Sequence, residues 1–184
     1  GYYRSLKQAF AGHLQPELTE KSILYRNVDG KRFVDVTEQM GLVDDSWSGE
    51  ATPIDVNEDG WPDVYTTDMQ GHDEYFENLG GKGFRKRSRE VFPKTPWGAM
   101  SVKVFDYNND GRMDVYVTDM HSDMSQNVGV EKEKLKADMQ WTESMLQTKG
   151  QSVWGNALFE KQADGSYVEV SDAMGAENLS LIHI

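Results

Sequence analysis

Cysteine is absent from the 184-residue chain. Disulfides are thereby excluded, and redox chemistry leaves the compartment open. Basic residues are few: 19 Lys and Arg stand against 31 Asp and Glu, for a formal charge of −12. A balance this acidic disfavours nucleic acid and anionic membrane surfaces as partners. Long apolar runs are missing too, and no stretch reaches the ~20 residues that span a bilayer. There is no initiator Met and no signal peptide. The chain begins at Gly1 and reads as a piece of something longer, so the missing signal excludes little. The length suits one domain of ordinary size.

What the chain does contain, it contains twice. Ile54 to Met69 reads IDVNEDGWPDVYTTDM, and Phe105 to Met120 reads FDYNNDGRMDVYVTDM. Each copy opens with Asp-x-Asn-x-Asp-Gly-x-x-Asp and runs into Asp-Val-Tyr-x-Thr-Asp-Met. The first loop offers Asp55, Asn57, Asp59 and Asp63, with a backbone carbonyl from Trp61. The second offers Asp106, Asn108, Asp110 and Asp114, with a carbonyl from Arg112. Oxygen ligands at alternate positions, with a Gly after the third, let a short loop wrap a hard cation. Three carboxylates this close repel one another unless a cation lies between them. Ca²⁺ suits such a flexible oxygen cage better than Mg²⁺, which keeps its waters. Neither loop contains Cys or His, which argues against Zn²⁺. Two Ca²⁺ sites are therefore expected.

An EF-hand shares this opening but needs a bidentate Glu at position twelve. Thr66 and Val117 stand there instead. Val, Tyr and Thr after each loop favour strand over helix. Each loop is therefore expected to join two strands. The plainer alternative is a pair of polar hairpin turns without metal.

In chain order, Tyr3, Leu6, Phe10 and Leu14 recur at helical spacing, and Pro16 ends that run. Ile23–Arg26 and Arg32–Thr37 read as strands around the turn Asn27-Val28-Asp29-Gly30. The same order returns at Tyr75–Asn78 and Phe84. Phe33 to Phe84 spans 51 positions, as does Asp55 to Asp106. A third, partial unit appears at Leu158–Lys161 and Tyr167–Ser171, 83 positions beyond the second. The second unit therefore carries an insertion of roughly thirty residues. Within it, Val130 to Gln147 reads as a helix with Leu135, Met139 and Leu146 on one face. Leu179 to Ile184 fit no unit and are set aside as a non-native tail.

A unit of about 51 residues with short strands and frequent turns is the sign of a β-propeller blade. The pattern Leu-Tyr-Arg-Asn-x-Asp-Gly-x-x-Phe-x-Asp-Val-Thr, followed by an acidic loop and Asp-Val-Tyr, resembles the FG-GAP or VCBS repeat. That repeat forms the propeller head of integrin α-subunits and occurs in exported bacterial proteins. The resemblance implies an all-β fold: a partial β-propeller, an open arc of about two and a half four-stranded blades with a helical insertion. Residues 1–22 would be a helical lead-in, 23–178 the blades with an insertion at about 121–155, and 179–184 the tail. It implies Ca²⁺ in the loop between the first and second strands of a blade, held by the residues named above. It also implies an extracellular, periplasmic or cell-surface location. The implied partners are a protein or glycan ligand and the remaining blades of a parent chain.

Ligand-face candidates lie at the end of the blades opposite the acidic loops. They are Trp47, Asp68, His72, Trp97, Asp119 and His121. The tryptophans could stack on a sugar or pack between blades. Asp68, Asp119, His72, His121 and Asp123 could form an acid/base set, although their repetition in both units points to a structural turn. The leading reading is a Ca²⁺-stabilised binding module. The alternative is a fragment of a propeller enzyme, a polysaccharide lyase or hydrolase. The basic run Lys82, Arg85, Lys86, Arg87 and Arg89 is expected on an outermost strand, where charge blocks sheet-to-sheet association.

Overall fold

The computed structural model describes residues 21–44, 46–69, 72–96, 98–120, 152–153 and 155–176. The expected lead-in helix, the helix at 130–147, and residues Trp97, His121, Asp123 and 179–184 lie outside the described residues.

Strands dominate the described chain. β1 (Tyr25–Val28) and β2 (Arg32–Asp35) form a two-stranded antiparallel sheet, followed by the helical turn α1 (Thr37–Met40). β3 (Ser48–Ile54), β4 (Asp63–Asp68), β5 (Glu74–Asn78) and β6 (Phe84–Lys86) form a four-stranded meander, followed by α2 (Ser88–Val91). After β7 (Thr95–Pro96) comes a second four-stranded sheet. It contains β8 (Ala99–Phe105), β9 (Asp114–Asp119), β11 (Ala157–Lys161) and β12 (Tyr167–Glu169). β10 (Ser152–Val153) pairs in parallel with β7, and α3 (Ser171–Met174) closes the described chain. The two large sheets are blade-like, and β1–β2 repeats the outer half of one.

The repeat extends to single hydrogen bonds. A hydroxyl at the start of each helical turn accepts the N–H that opens the preceding hairpin. These bonds are Leu24 to Thr37 at 2.9 Å, Tyr75 to Ser88 at 2.9 Å and Leu158 to Ser171 at 2.7 Å. The sequence reading ran the second strand on through Thr37, whereas Thr37 begins α1. The Thr37 N–H donates to Asp35 Oδ1 at 2.9 Å and is not available to extend the ladder. A β-bulge also recurs, between Ser48 and Ala51 in β3 and between Ala99 and Ser101 in β8. The first bulge lets Glu50 cross to the neighbouring sheet, where its carboxylate accepts the Val102 N–H at 3.0 Å.

The core lies between the two sheets. Phe92, fully buried, meets Tyr65 and Tyr75 of one sheet and Phe159 and Tyr167 of the other. Ring centroids lie 4.9–5.8 Å away, mostly edge to face, which is the favourable aromatic arrangement. Of the basic run, Arg85 and Lys86 lie on the edge strand β6 as expected, whereas Lys82 sits in the turn before it and Arg87 and Arg89 cap and enter α2, because the strand ends at Lys86. Arg85 pairs with Glu77, Lys86 with Glu74, and Arg87 with both Glu77 and Glu90, so these charges are answered within the blade.

Candidate functional site

Each acidic loop is the β3–β4 or β8–β9 connection, and both lie at the same end of the sheets. The chain must reverse within a few residues there. Glu58 and Asn109 take up positive φ of 59° and 60°, and Gly60 and Gly111 take 82° and 85°. Glycine tolerates this region freely, and Asn more readily than most residues.

The two loops match bond for bond. The Asp59 N–H donates to Asp55 Oδ1 at 3.2 Å and to Asn57 Oδ1 at 3.1 Å. The Asp110 N–H donates to Asp106 Oδ1 and Asn108 Oδ1, both at 3.1 Å. The glycine N–H reaches the first Asp at 2.9 Å in one loop and 2.8 Å in the other. The side-chain amide of Asn57 or Asn108 donates to the fifth-position carboxylate, Asp59 or Asp110. The fold thus gathers Asp55, Asn57 and Asp59, and separately Asp106, Asn108 and Asp110. Each set is exposed or half-buried and offers oxygen donors of the kind a hard cation takes.

Asp63 and Asp114 behave differently. Both are fully buried at the first residue of β4 and β9. Asp63 accepts the N–H of Val56 at 3.1 Å and of Asn78 at 2.6 Å, and the Tyr75 hydroxyl at 2.6 Å. Asp114 accepts the N–H of Tyr107 at 3.1 Å and of Lys161 at 2.9 Å. Burial, and then the bond to Asp63, hold the Tyr75 phenol well above its ordinary pKa. The ninth-position Asp therefore ties the loop to the next hairpin. No three Asp, Glu or His side chains stand together as a ready-made cage among the described residues. The loop oxygens spend their lone pairs on nearby N–H groups instead.

Trp61 and Arg112, which follow the loop glycines, differ. A Cβ placed on Gly81 would lie 2.8 Å from the Trp61 ring, so the indole rests on the β5–β6 turn. Arg112 bonds the Asp110 carboxylate, and its Nε donates to the Lys161 carbonyl at 2.8 Å. The Lys161 ammonium crosses between the sheets to the Val56 carbonyl, at 2.9 Å, and to the Glu58 carboxylate. These groups border a cleft of about 570 Å³ at the loop end. Sequence reading missed Lys161 and Phe92. Lys161 occupies the position of Asn78, and nothing local tells that it would cross the seam.

At the opposite end, Asp68 and Asp119 are buried. The Asp68 N–H donates to Asp73 at 2.8 Å. Asp119 accepts the Gly98 N–H at 2.7 Å, and its own N–H donates to Asn156 at 2.9 Å. Asp73 also accepts the Tyr65 hydroxyl at 2.7 Å. Burial pushes its carboxyl well above the ordinary range, assisted by the fields of Asp68 and Asp119. Trp47 is 38% exposed and sits beside β3, while His72 is half-buried just before Asp73.

No curated protein matches the chain. Residues 55–117 match the family model described as an FG-GAP-like repeat. That span runs from the first loop through β4–β8 to the second loop and into β9, so this part of the chain carries an FG-GAP-like repeat.

Proposed function

We propose that the chain is a calcium-binding propeller module of an exported protein, with a protein or glycan ligand at the end opposite the acidic loops. One observation carries the metal reading. Two loops 51 residues apart each draw the oxygens of the first Asp and the Asn onto the backbone N–H of the second Asp, whose own carboxylate accepts the N–H two residues on, with matching backbone turns. A polar turn needs no such duplicated carboxylate density at an exposed position. Asp55, Asn57 and Asp59 would hold one ion, and Asp106, Asn108 and Asp110 the other. Asp63 and Asp114 would anchor each loop from below. Bound Ca²⁺ would neutralise the loop carboxylates and fix the hairpins.

The ligand reading is supported by the division of labour between the two ends. The loop end is occupied by cross-linking bonds between sheets. The other end carries the connections after β4 and β9, and loops on a rigid scaffold commonly carry binding residues. Differential scanning calorimetry with and without EDTA tests the metal reading. The melting temperature should fall in chelator, and elemental analysis should find Ca²⁺ in the untreated protein. An unchanged melting curve with no bound Ca²⁺ rejects it. A glycan array and a panel of candidate proteins test the ligand reading.

A further inference from the structure

The two loops share their internal hydrogen bonds but not their electrostatic surroundings. In the second loop the Arg112 guanidinium sits on Asp110 Oδ2 and is held from behind by the Lys161 carbonyl at 2.8 Å. In the first loop the matching position is Trp61, whose uncharged ring rests on the Gly80–Gly81 turn. The corresponding oxygen, Asp59 Oδ2, accepts the Asn57 amide at 3.0 Å. The first loop has a neighbouring cation too, Lys161. Its ammonium bonds the Val56 carbonyl and Glu58, neither of which belongs to the Asp55, Asn57 and Asp59 set. Glu58 therefore offsets Lys161, whereas the second loop has the neutral Asn109 where the first has Glu58. Three aspartates and Glu58, less Lys161, leave the first loop three negative charges. Three aspartates, less Arg112, leave the second loop two.

We propose that Arg112 ranks the two loops, making the Asp106–Asp114 loop the weaker divalent-cation site by occupying one of its ligand oxygens. This rests on the calcium reading above. A cation entering the second loop must displace the guanidinium from Asp110 or share the carboxylate with it. A cation entering the first loop meets no such competitor. The contact is partly exposed, so the difference is modest: about two- to five-fold in dissociation constant, as expected for an exposed ion pair. It should narrow in high salt.

The test is isothermal titration calorimetry of the full chain with Ca²⁺, using variants that leave one loop intact. Asp110→Ala keeps the first loop, and Asp59→Ala keeps the second. Asp110→Ala should bind the tighter single ion. Adding Arg112→Gln to Asp59→Ala should tighten the remaining site to match. In the unmodified chain, Tb³⁺ emission sensitised through Trp61 should saturate before total binding does, and Trp61→Phe should remove that signal. Equal affinities for the two single-loop variants, or no gain from Arg112→Gln, overturn the ranking and leave the calcium reading intact. An absence of Ca²⁺ binding in the unmodified chain overturns both.

Discussion

At the scale of the residue, the ninth loop position separates what a motif says from what a side chain does. Asp63 reads as one more ligand in a series. In the fold it is fully buried and accepts three hydrogen bonds. Asp63→Ala strands three buried donors at once and should destabilise the protein by about 3 kcal/mol or more. Tyr75→Phe removes one donor to a charged group and should cost about 1.5–3 kcal/mol. Urea midpoints measured with EDTA present separate this from metal binding; an Asp63→Ala midpoint equal to the parent's would show that the anchor is dispensable. Asp73 carries the opposite electrostatics. Its folded pKa is raised by burial above 3.8. As pH climbs through 3.8, the unfolded chain loses this proton first, so the contribution of Asp73 to stability declines until the raised folded value is passed. Asp73→Asn should flatten that part of the stability profile. Identical pH slopes for the two proteins in urea titrations would contradict it.

At the scale of the element, the recurring piece is a hairpin, a helical turn and one hydroxyl between them. Thr37, Ser88 and Ser171 accept the N–H of Leu24, Tyr75 and Leu158. Removing the Ser88 hydroxyl leaves the Tyr75 amide buried without its acceptor, at a cost of about 1–2 kcal/mol. Hydrogen exchange should show the Tyr75 amide losing protection in Ser88→Ala, while β8 and β9 keep theirs. Unchanged protection at Tyr75 would mean that this bond does not hold the hairpin. The strands were legible because their spacing repeats. The helical turns were not, because Ser or Thr after a strand signals continuation as readily as a turn. Phe92 was hidden for a related reason. The position 51 residues earlier is Gly41, where a Cβ would lie 2.7 Å from the Phe84 carbonyl oxygen. Two units with one ancestral pattern fill that position in opposite ways.

At the scale of the whole molecule, β1–β2 is the exposed part. Phe76 and Phe159, at matching positions in the two complete sheets, are 0% and 2% exposed. Tyr25 stands at that position in β1 and is 54% exposed; Phe33 in β2 reaches 69%. Apolar surface of this kind drives association. The chain should self-associate with rising concentration, and the double variant Tyr25→Lys, Phe33→Lys should shift it toward monomer. Sedimentation velocity reads both outcomes. A monomer at every concentration, with a closed ring-shaped scattering envelope, would contradict the open-arc expectation.

The sequence alone determined the repeat, its spacing, the four-strand order of the blades and the six loop side chains that come together. Those features are local: alternation sets the strand faces, and Asp, Asn and Gly at fixed offsets set the turn. Tertiary structure decided the rest. It turned Asp63 and Asp114 inward, sent Lys161 across to the neighbouring loop, laid Trp61 on the Gly80–Gly81 turn, placed Arg112 on Asp110, and set Phe92 between the sheets. Each depends on which groups a neighbouring strand, turn or sheet brings within hydrogen-bonding or van der Waals reach, and a spacing along the chain does not contain that distance.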